Sequence, residues 1–277
     1  MQTPSDLVSF WHGELSWLEK MCIESIASTG QKLTIYCYDS GKPQTEGIRA
    51  DFRDAAEIID ANHPYFSFLG VKPALFSDVM RYELLLRAKG IWVDLDMLFI
   101  RPAPCNLPLI AAYEHEPKRI VNGAALFLPR DSRLLLELVD FCKTRPVMAP
   151  WWPLKLKLKH RIRAACSTPI PPEECQWGVF GPKAISYFVK ELGLSSQILP
   201  SATFYPVPWK SAGELITPEA NPERWITRDT FAVHLWANSL RKRLNSGPPH
   251  PESFLGRRAR DLLGHSALGN EFATGQI

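Results

Sequence analysis

The apolar positions of the first hundred residues change their period repeatedly, and each change marks an element. Leu7 to Trp11 is a short apolar run that predicts a strand, and His12-Gly13 turns the chain. Ser16 with Glu19 makes a capping box, after which Leu18, Cys22 and Ile26 recur at helical spacing as far as Gly30. Leu33 to Tyr38 predicts a second strand, closed by the turn residues Asp39-Ser40-Gly41. A short helix is expected over 54–61. A longer one starts at Pro73, with Leu75, Val79, Tyr82 and Leu86 in a stripe that ends at Gly90. Gly90 to Ile100 is then almost unbroken apolar sequence, as in a strand buried on both faces. Further strand and helix signals follow at 120–128 and 134–142. Strands alternating with helices predict an α/β fold, a mainly parallel twisted sheet flanked by helices. Ligands of such sheets bind at the carboxyl ends of the strands, where Trp11, Asp39 and the pair Asp94/Asp96 fall.

The pattern breaks between Pro146 and Glu174. Prolines crowd this stretch, and 151–163 alternates Leu154, Leu156, Leu158 and Ile162 with Lys155, Lys157, Lys159, Arg161 and Arg163 behind the pair Trp151-Trp152. Two readings stand: a solvated charged face, or attachment to an anionic membrane surface, reinforced by Arg241-Lys242-Arg243 and by Arg257, Arg258 and Arg260. Beyond Asn245 the chain is rich in Pro, Gly and Arg. The expected organisation is one catalytic domain over 1–245 with a basic, aromatic, Pro-rich insertion at 146–175. A C-terminal tail follows over 246–277, its last ten or so residues disordered.

The chain has 277 residues, enough for a large core, with 45% hydrophobic and 22% charged positions. A net charge of +3 does not call for a nucleic-acid partner. The N-terminus lacks the basic start and apolar centre of a signal peptide, and no run approaches the roughly 18 apolar residues of a membrane span. The six cysteines are scattered without a Cys-x-x-Cys pair, which predicts free thiols. The expectation from these features is a cytoplasmic protein, peripheral on the inner face of the plasma membrane if the basic segment docks there.

Asp94 and Asp96 carry the chemistry. Side chains two apart on an extended chain share a side, and two carboxylates in a dry site repel. A divalent cation at the strand end would relieve both the repulsion and the cost of burial. Upstream, Asp78 and Arg81 are neighbours on one helical face.

Read as a block, Phe76-Ser-Asp78-Val-Met-Arg81 through Gly90-Ile-Trp-Val-Asp94-Leu-Asp96 resembles the DXD sugar-binding region of family-32 glycosyltransferases, which is related to the catalytic domains of the large clostridial glucosylating toxins. Phe10-Trp11-His12-Gly13 and Tyr38-Asp39-Ser40 match the first two strand ends of the same proteins. The resemblance implies a GT-A fold, a nucleotide-sugar donor, Mn²⁺ or Mg²⁺ as cofactor, and transfer with retention of configuration. It places Trp11 against the nucleobase, Tyr38 and Asp39 in the donor site, and Asp78 and Arg81 on the donor hydroxyls. Asp94 would lie near the ribose or metal-bound water, and Asp96 on the metal. Phe231-Ala-Val-His234-Leu-Trp236-Ala-Asn238 resembles the C-terminal closing segment, so that Trp236 would cover the donor and His234 or Asn238 would complete the metal shell; His234 could equally be a core residue. Asn122 reads as a hydroxyl-binding residue or as part of a turn, and Gly181-Pro182 as a helix start.

The activity so implied is transfer from a nucleotide sugar, with uridine diphosphate the expected carrier and guanosine diphosphate mannose the main alternative. The acceptor would be a glycan or lipid-linked molecule such as a capsular or lipopolysaccharide precursor. A non-catalytic nucleotide-sugar or membrane-surface binder is the alternative from another class. A DxD phosphatase would need a downstream Gly-Asp-x-x-x-Asp, which is missing, and a glycoside hydrolase would set its carboxylates on opposite sides of the sugar.

Overall fold

The computed structural model describes residues 5–144, 147–166, 174–244 and 247–267. In chain order the elements are β1 (Leu7–Phe10), α1 (Trp17–Ser28), β2 (Leu33–Cys37), β3 (Asp51–Asp54), α2 (Phe68–Val71), α3 (Pro73–Leu86), β4 (Ile91–Val93) and β5 (Met97–Phe99). Then come β6 (Ile110–His115), β7 (Ile120–Phe127), α4 (Arg133–Lys143), α5 (Leu154–Ala165), α6 (Pro182–Glu191), β8 (Ala232–His234), α7 (Ala237–Leu244) and α8 (Phe254–Ala267).

The central sheet has the strand order β3-β2-β1-β4-β7-β6. β3, β2, β1 and β4 run parallel, while β7 and β6 are antiparallel to their neighbours. The expected α/β architecture with a mostly parallel sheet between helices is therefore present. Ser16 caps α1 with the full reciprocal box to Glu19, as its sequence predicts. β1 and β4 are fully buried four- and three-residue strands. Gly90 lets β4 start against the first strand, because a Cβ there would stand 2.5 Å from the Asp6 carbonyl oxygen.

Three elements depart from expectation. The 54–61 stretch begins on the last residue of a mostly exposed edge strand, β3, and only Ala55–Glu57 is helical, as a single 3₁₀ turn. Gly90–Ile100 is not one strand. The ladder stops at Val93, the chain turns through Asp94–Asp96, and β5 leaves the main sheet to pair antiparallel with β8 in a separate ribbon. The region after 245 is more than a tail. α8 lays Phe254, Leu255 and Ala259 against Leu18, Met21 and Cys22 of α1 in a second apolar cluster that also takes in Leu98 and Leu240. Burying side chains such as Phe254 and Leu255 contributes about 1.5–3 kcal/mol each. The expected disorder over 268–277 lies outside the described residues, as does much of the Pro-rich segment over 167–173. No disulfide joins the six cysteines. Among the described residues, no helix is long and apolar enough to cross a membrane.

Candidate active site

The carboxyl ends of β1 and β4 open on a cleft of about 300 Å³ lined by Trp11, Trp92, Asp94, Asp96, Asn238 and Arg241, among others. A larger cavity of about 490 Å³, lined by Ser25, Ser28, Thr29, Arg101 and α8, holds none of the expected site residues.

Asp94 and Asp96 do not meet as alternate residues of a strand. They bracket a turn in which the Met97 amide donates back to the Asp94 carbonyl over 3.3 Å. The β5–β8 ribbon then sets the third member. Its register pairs Met97 with His234, so Asp96, one residue before, sits at the end of β8. The Leu235 amide donates to the Asp96 carbonyl (2.9 Å), the Ala237 amide to Asp96 Oδ2 (3.0 Å), and His234 Nε2 stands 3.3 Å from Asp96 Oδ1. Burial opposes the charge on Asp96, but the His234 charge and hydrogen bond and the Ala237 amide outweigh it and hold the carboxyl down at about 2. Burial likewise works against a charged His234, yet Asp96 first, with Asp94 and Glu114, raises its pKa above the ordinary histidine value.

Ligand atoms of Asp94, Asp96 and His234 all lie within 4.8 Å of one another, the one such cluster among the described residues. Two carboxylates and an imidazole suit a divalent cation such as Mg²⁺ or Mn²⁺. His234 Nδ1 is buried without a hydrogen-bond partner, so part of the imidazole's bonding capacity is unspent. The donor set therefore fits a divalent metal. Asn238 looks into the same cleft from the first turn of α7.

Beneath the cleft, Arg81 reaches two carboxylates at once: Nη1 donates to Asp78 Oδ1 at 2.8 Å and Nη2 to Asp94 Oδ1 at 3.0 Å. The Trp92 indole donates to the same Asp94 oxygen at 2.6 Å and lies 5.0 Å from the guanidinium. One cation serves two acids. Burial and the nearby Asp94 charge therefore push Asp78 up to about 6 against the pull of Arg81, while both acids keep Arg81 charged. Two glycines make this arrangement possible. A Cβ on Gly123 would stand 2.6 Å from Arg81 Nη1, and one on Gly181 would stand 2.7 Å from both Asp78 carboxylate oxygens.

The structure thus gathers Trp11, Asp94, Asp96 and Asn238 around one cleft, with His234 and Trp236 behind Asp96 and Asp78 and Arg81 beneath it. Arg81 is only 5% exposed and its terminal nitrogens are engaged, so in this state it orients Asp94 instead of gripping a ligand as the sequence suggests. Trp236 donates its indole N–H to the Val207 carbonyl and packs its ring 4.1 Å from that of His234. Three expected donor residues are elsewhere. The buried Tyr38 hydroxyl is spent on the Ile59 carbonyl (2.5 Å), and its ring sits among Phe10, Phe66 and Phe76. Asn122 donates its amide to Glu114 (2.6 Å) and accepts from the Ala124 amide at its oxygen (2.8 Å), so here it braces the strand. Asp39 is exposed in the turn beside the cleft and does not line it.

The residues not singled out as site members are Trp92, Glu19, Arg241 and Gly123. Trp92 was legible in principle, since it precedes Asp94 by two and shares its side of the chain. Arg241, expected at a membrane surface, instead lines the cleft and contacts Glu19, whose carboxyl burial raises despite Ser16 and Arg241.

Residues 174–260, just under a third of the chain, match the conserved region of the alpha 1,4-glycosyltransferases. This region holds Gly181, His234, Trp236, Asn238 and Arg241. Among solved structures the chain is similar to the PaToxG glycosyltransferase at 14% identity, over 71% of this chain and 73% of that one, with a TM-score of 0.44. No curated protein matches.

Proposed function

We propose that the chain is a glycosyltransferase of the DXD type, as the match of residues 174–260 supports, and that it moves a hexose from a nucleotide-sugar donor, a uridine diphosphate sugar, to a glycan or lipid-linked acceptor, with retention of configuration. The observation that carries this reading is the convergence of one ligand atom each from Asp94, Asp96 and His234 to within 4.8 Å of one another beside a cleft lined by Trp11 and Trp92.

Asp94, Asp96 and His234 would hold the cation. A bound Mn²⁺ or Mg²⁺ would neutralise the departing diphosphate and orient the donor. Trp11, half-exposed at the rim and tied by its indole N–H to the Glu14 carbonyl (3.3 Å), offers its ring to the base. Arg241 brings a second positive charge to the cleft, suited to a phosphate oxygen. Arg81 and Trp92 fix one Asp94 oxygen so that the other is free for the ligand, and Trp236 and Asn238 close the C-terminal side. The acceptor hydroxyl attacks from the face that the diphosphate leaves. We read 1–245 as one catalytic domain, with α8 as a buttress behind α1.

Donor hydrolysis by the purified protein, followed with and without Mn²⁺ across a panel of nucleotide sugars, tests the proposal. Asp96→Asn and His234→Ala should each remove the metal-dependent turnover. Full turnover in Asp96→Asn, or turnover indifferent to chelation, would refute the metal site.

A further inference from the structure

We propose that α5 is a docking face for an anionic lipid bilayer, seating three aliphatic side chains at the interface and cations on the headgroups. The argument starts from its anchoring. Trp152 packs its ring 4.4 Å from the buried His160 ring, and Trp151 packs against Phe141 and Tyr187, so the helix has one face fixed to the protein. The opposite face carries Leu154, Leu158 and Ile162, spaced i, i+4, i+8 and 79%, 55% and 55% exposed. Only seven large hydrophobic residues are strongly exposed among the described residues, and three of them form this stripe. Helical geometry puts Lys155 and Lys159 on one flank of it and Arg161 on the other, all exposed.

A solvated face needs no leucines, and a partner helix that covers only leucines needs no border of cations. An apolar stripe edged with Lys and Arg on a helix that lies along the surface is what an anionic interface accepts. The charge is lopsided in the right sense. Between Asp140 and Glu173 the sequence has seven lysines and arginines and no carboxylate. The C-terminal arginines do not add to this face. Arg241 pairs with Glu19, Arg257 with Glu223 and Arg260 with Glu252, while Arg258 lies over Phe254.

Co-sedimentation of the full chain with phosphatidylglycerol-rich and with pure phosphatidylcholine vesicles tests the proposal. Binding is expected to the first and not to the second, and to weaken as salt is raised. Lys155→Gln with Lys159→Gln should weaken binding about fivefold per cation removed. Leu154→Ser, Leu158→Ser and Ile162→Ser together should weaken it at least about tenfold. Because all these side chains are exposed, melting temperature and donor hydrolysis in solution should not change; should the triple variant fail to fold, Leu158→Ser alone serves. Equal binding to both vesicle types, or binding unmoved by either set, would overturn the proposal. So would a dimer that the serine variants dissociate, since a second copy would then cover the stripe. Loss of vesicle binding with intact hydrolysis leaves the catalytic reading untouched.

Discussion

Replacing Gly123 by alanine probes the network that holds Asp94 without touching a ligating group. The new Cβ would stand 2.6 Å from Arg81 Nη1, 3.2 Å from its Cζ and 3.0 Å from Ile185 Cδ1. Carbon contacts are comfortable near about 3.5–4.0 Å, so the guanidinium must retreat by roughly an ångström. It starts from bonds of 2.8 Å to Asp78 and 3.0 Å to Asp94. A retreat of that size takes at least one of them beyond hydrogen-bond length. Overpacking alone costs about 1–3 kcal/mol, and breaking a buried ion pair outright costs about 3–5 kcal/mol. A loss of about 2–4 kcal/mol is therefore expected. At about 2–4 °C per kcal/mol for a chain of this size, the melting temperature should fall by roughly 5–15 °C. Metal-dependent donor hydrolysis should drop at least about tenfold, because Asp94 loses its fixed orientation. Gly70→Ala is the control: it lies in α2 with nothing within 4 Å of its Cβ, and should be neutral or stabilising by about 0.5–1 kcal/mol. Calorimetry on both variants decides the matter. Equal melting temperatures and undiminished hydrolysis in Gly123→Ala would show that Arg81 is not seated on that glycine.

Mn²⁺ at a hundred times its dissociation constant should stabilise the protein by about 2.7 kcal/mol, read as a thermal shift, and both Asp96→Asn and His234→Ala should erase the shift. Asp78 makes stability depend on pH. Its native pKa of about 6 lies above the ordinary value of 3.8, so the native state holds the proton more tightly than the unfolded chain. Its contribution is fully present below about pH 4 and is lost as pH rises through about 6, a change of about 3 kcal/mol. Denaturant titrations of the parent and Asp78→Asn should diverge over that window; parallel curves would contradict the assignment. Trp11→Ala should raise the donor KM about two- to tenfold with little change in melting temperature, as expected for a half-exposed ring lost from a stacking role.

Local signals along the chain are legible in the sequence. The capping box at Ser16, the proline start of α3 and the apolar runs of β1, β2 and β7 depend on neighbours within a few positions. β3 escaped notice because Asp51-Phe-Arg-Asp54 is an edge strand with almost nothing to bury. The break at Val93 escaped because β5 is as apolar as β4. Leu98 and Phe99 are covered by α1 and the β8 ribbon, and the sequence does not say which sheet a buried strand joins. Asp94, Asp96 and Trp11 were found through a local pattern. A hydroxyl or amide looks the same in sequence whether it meets a ligand or bonds within the chain, as Tyr38 does with Ile59 and Asn122 with Glu114. Arg241 was read as surface charge because its partner Glu19 is 222 positions away.

The short ribbon of β5 with β8 has a consequence for synthesis of the protein. Asp96 is made early and His234 late, and a chain released before Ala232 would hold every strand of the central sheet while still lacking the strand that completes the ligand set. Such a fragment could keep its first tryptophan and its acidic turn yet remain catalytically silent. On the proposed reading, metal-dependent turnover would begin only once the segment carrying β8 has folded back onto β5.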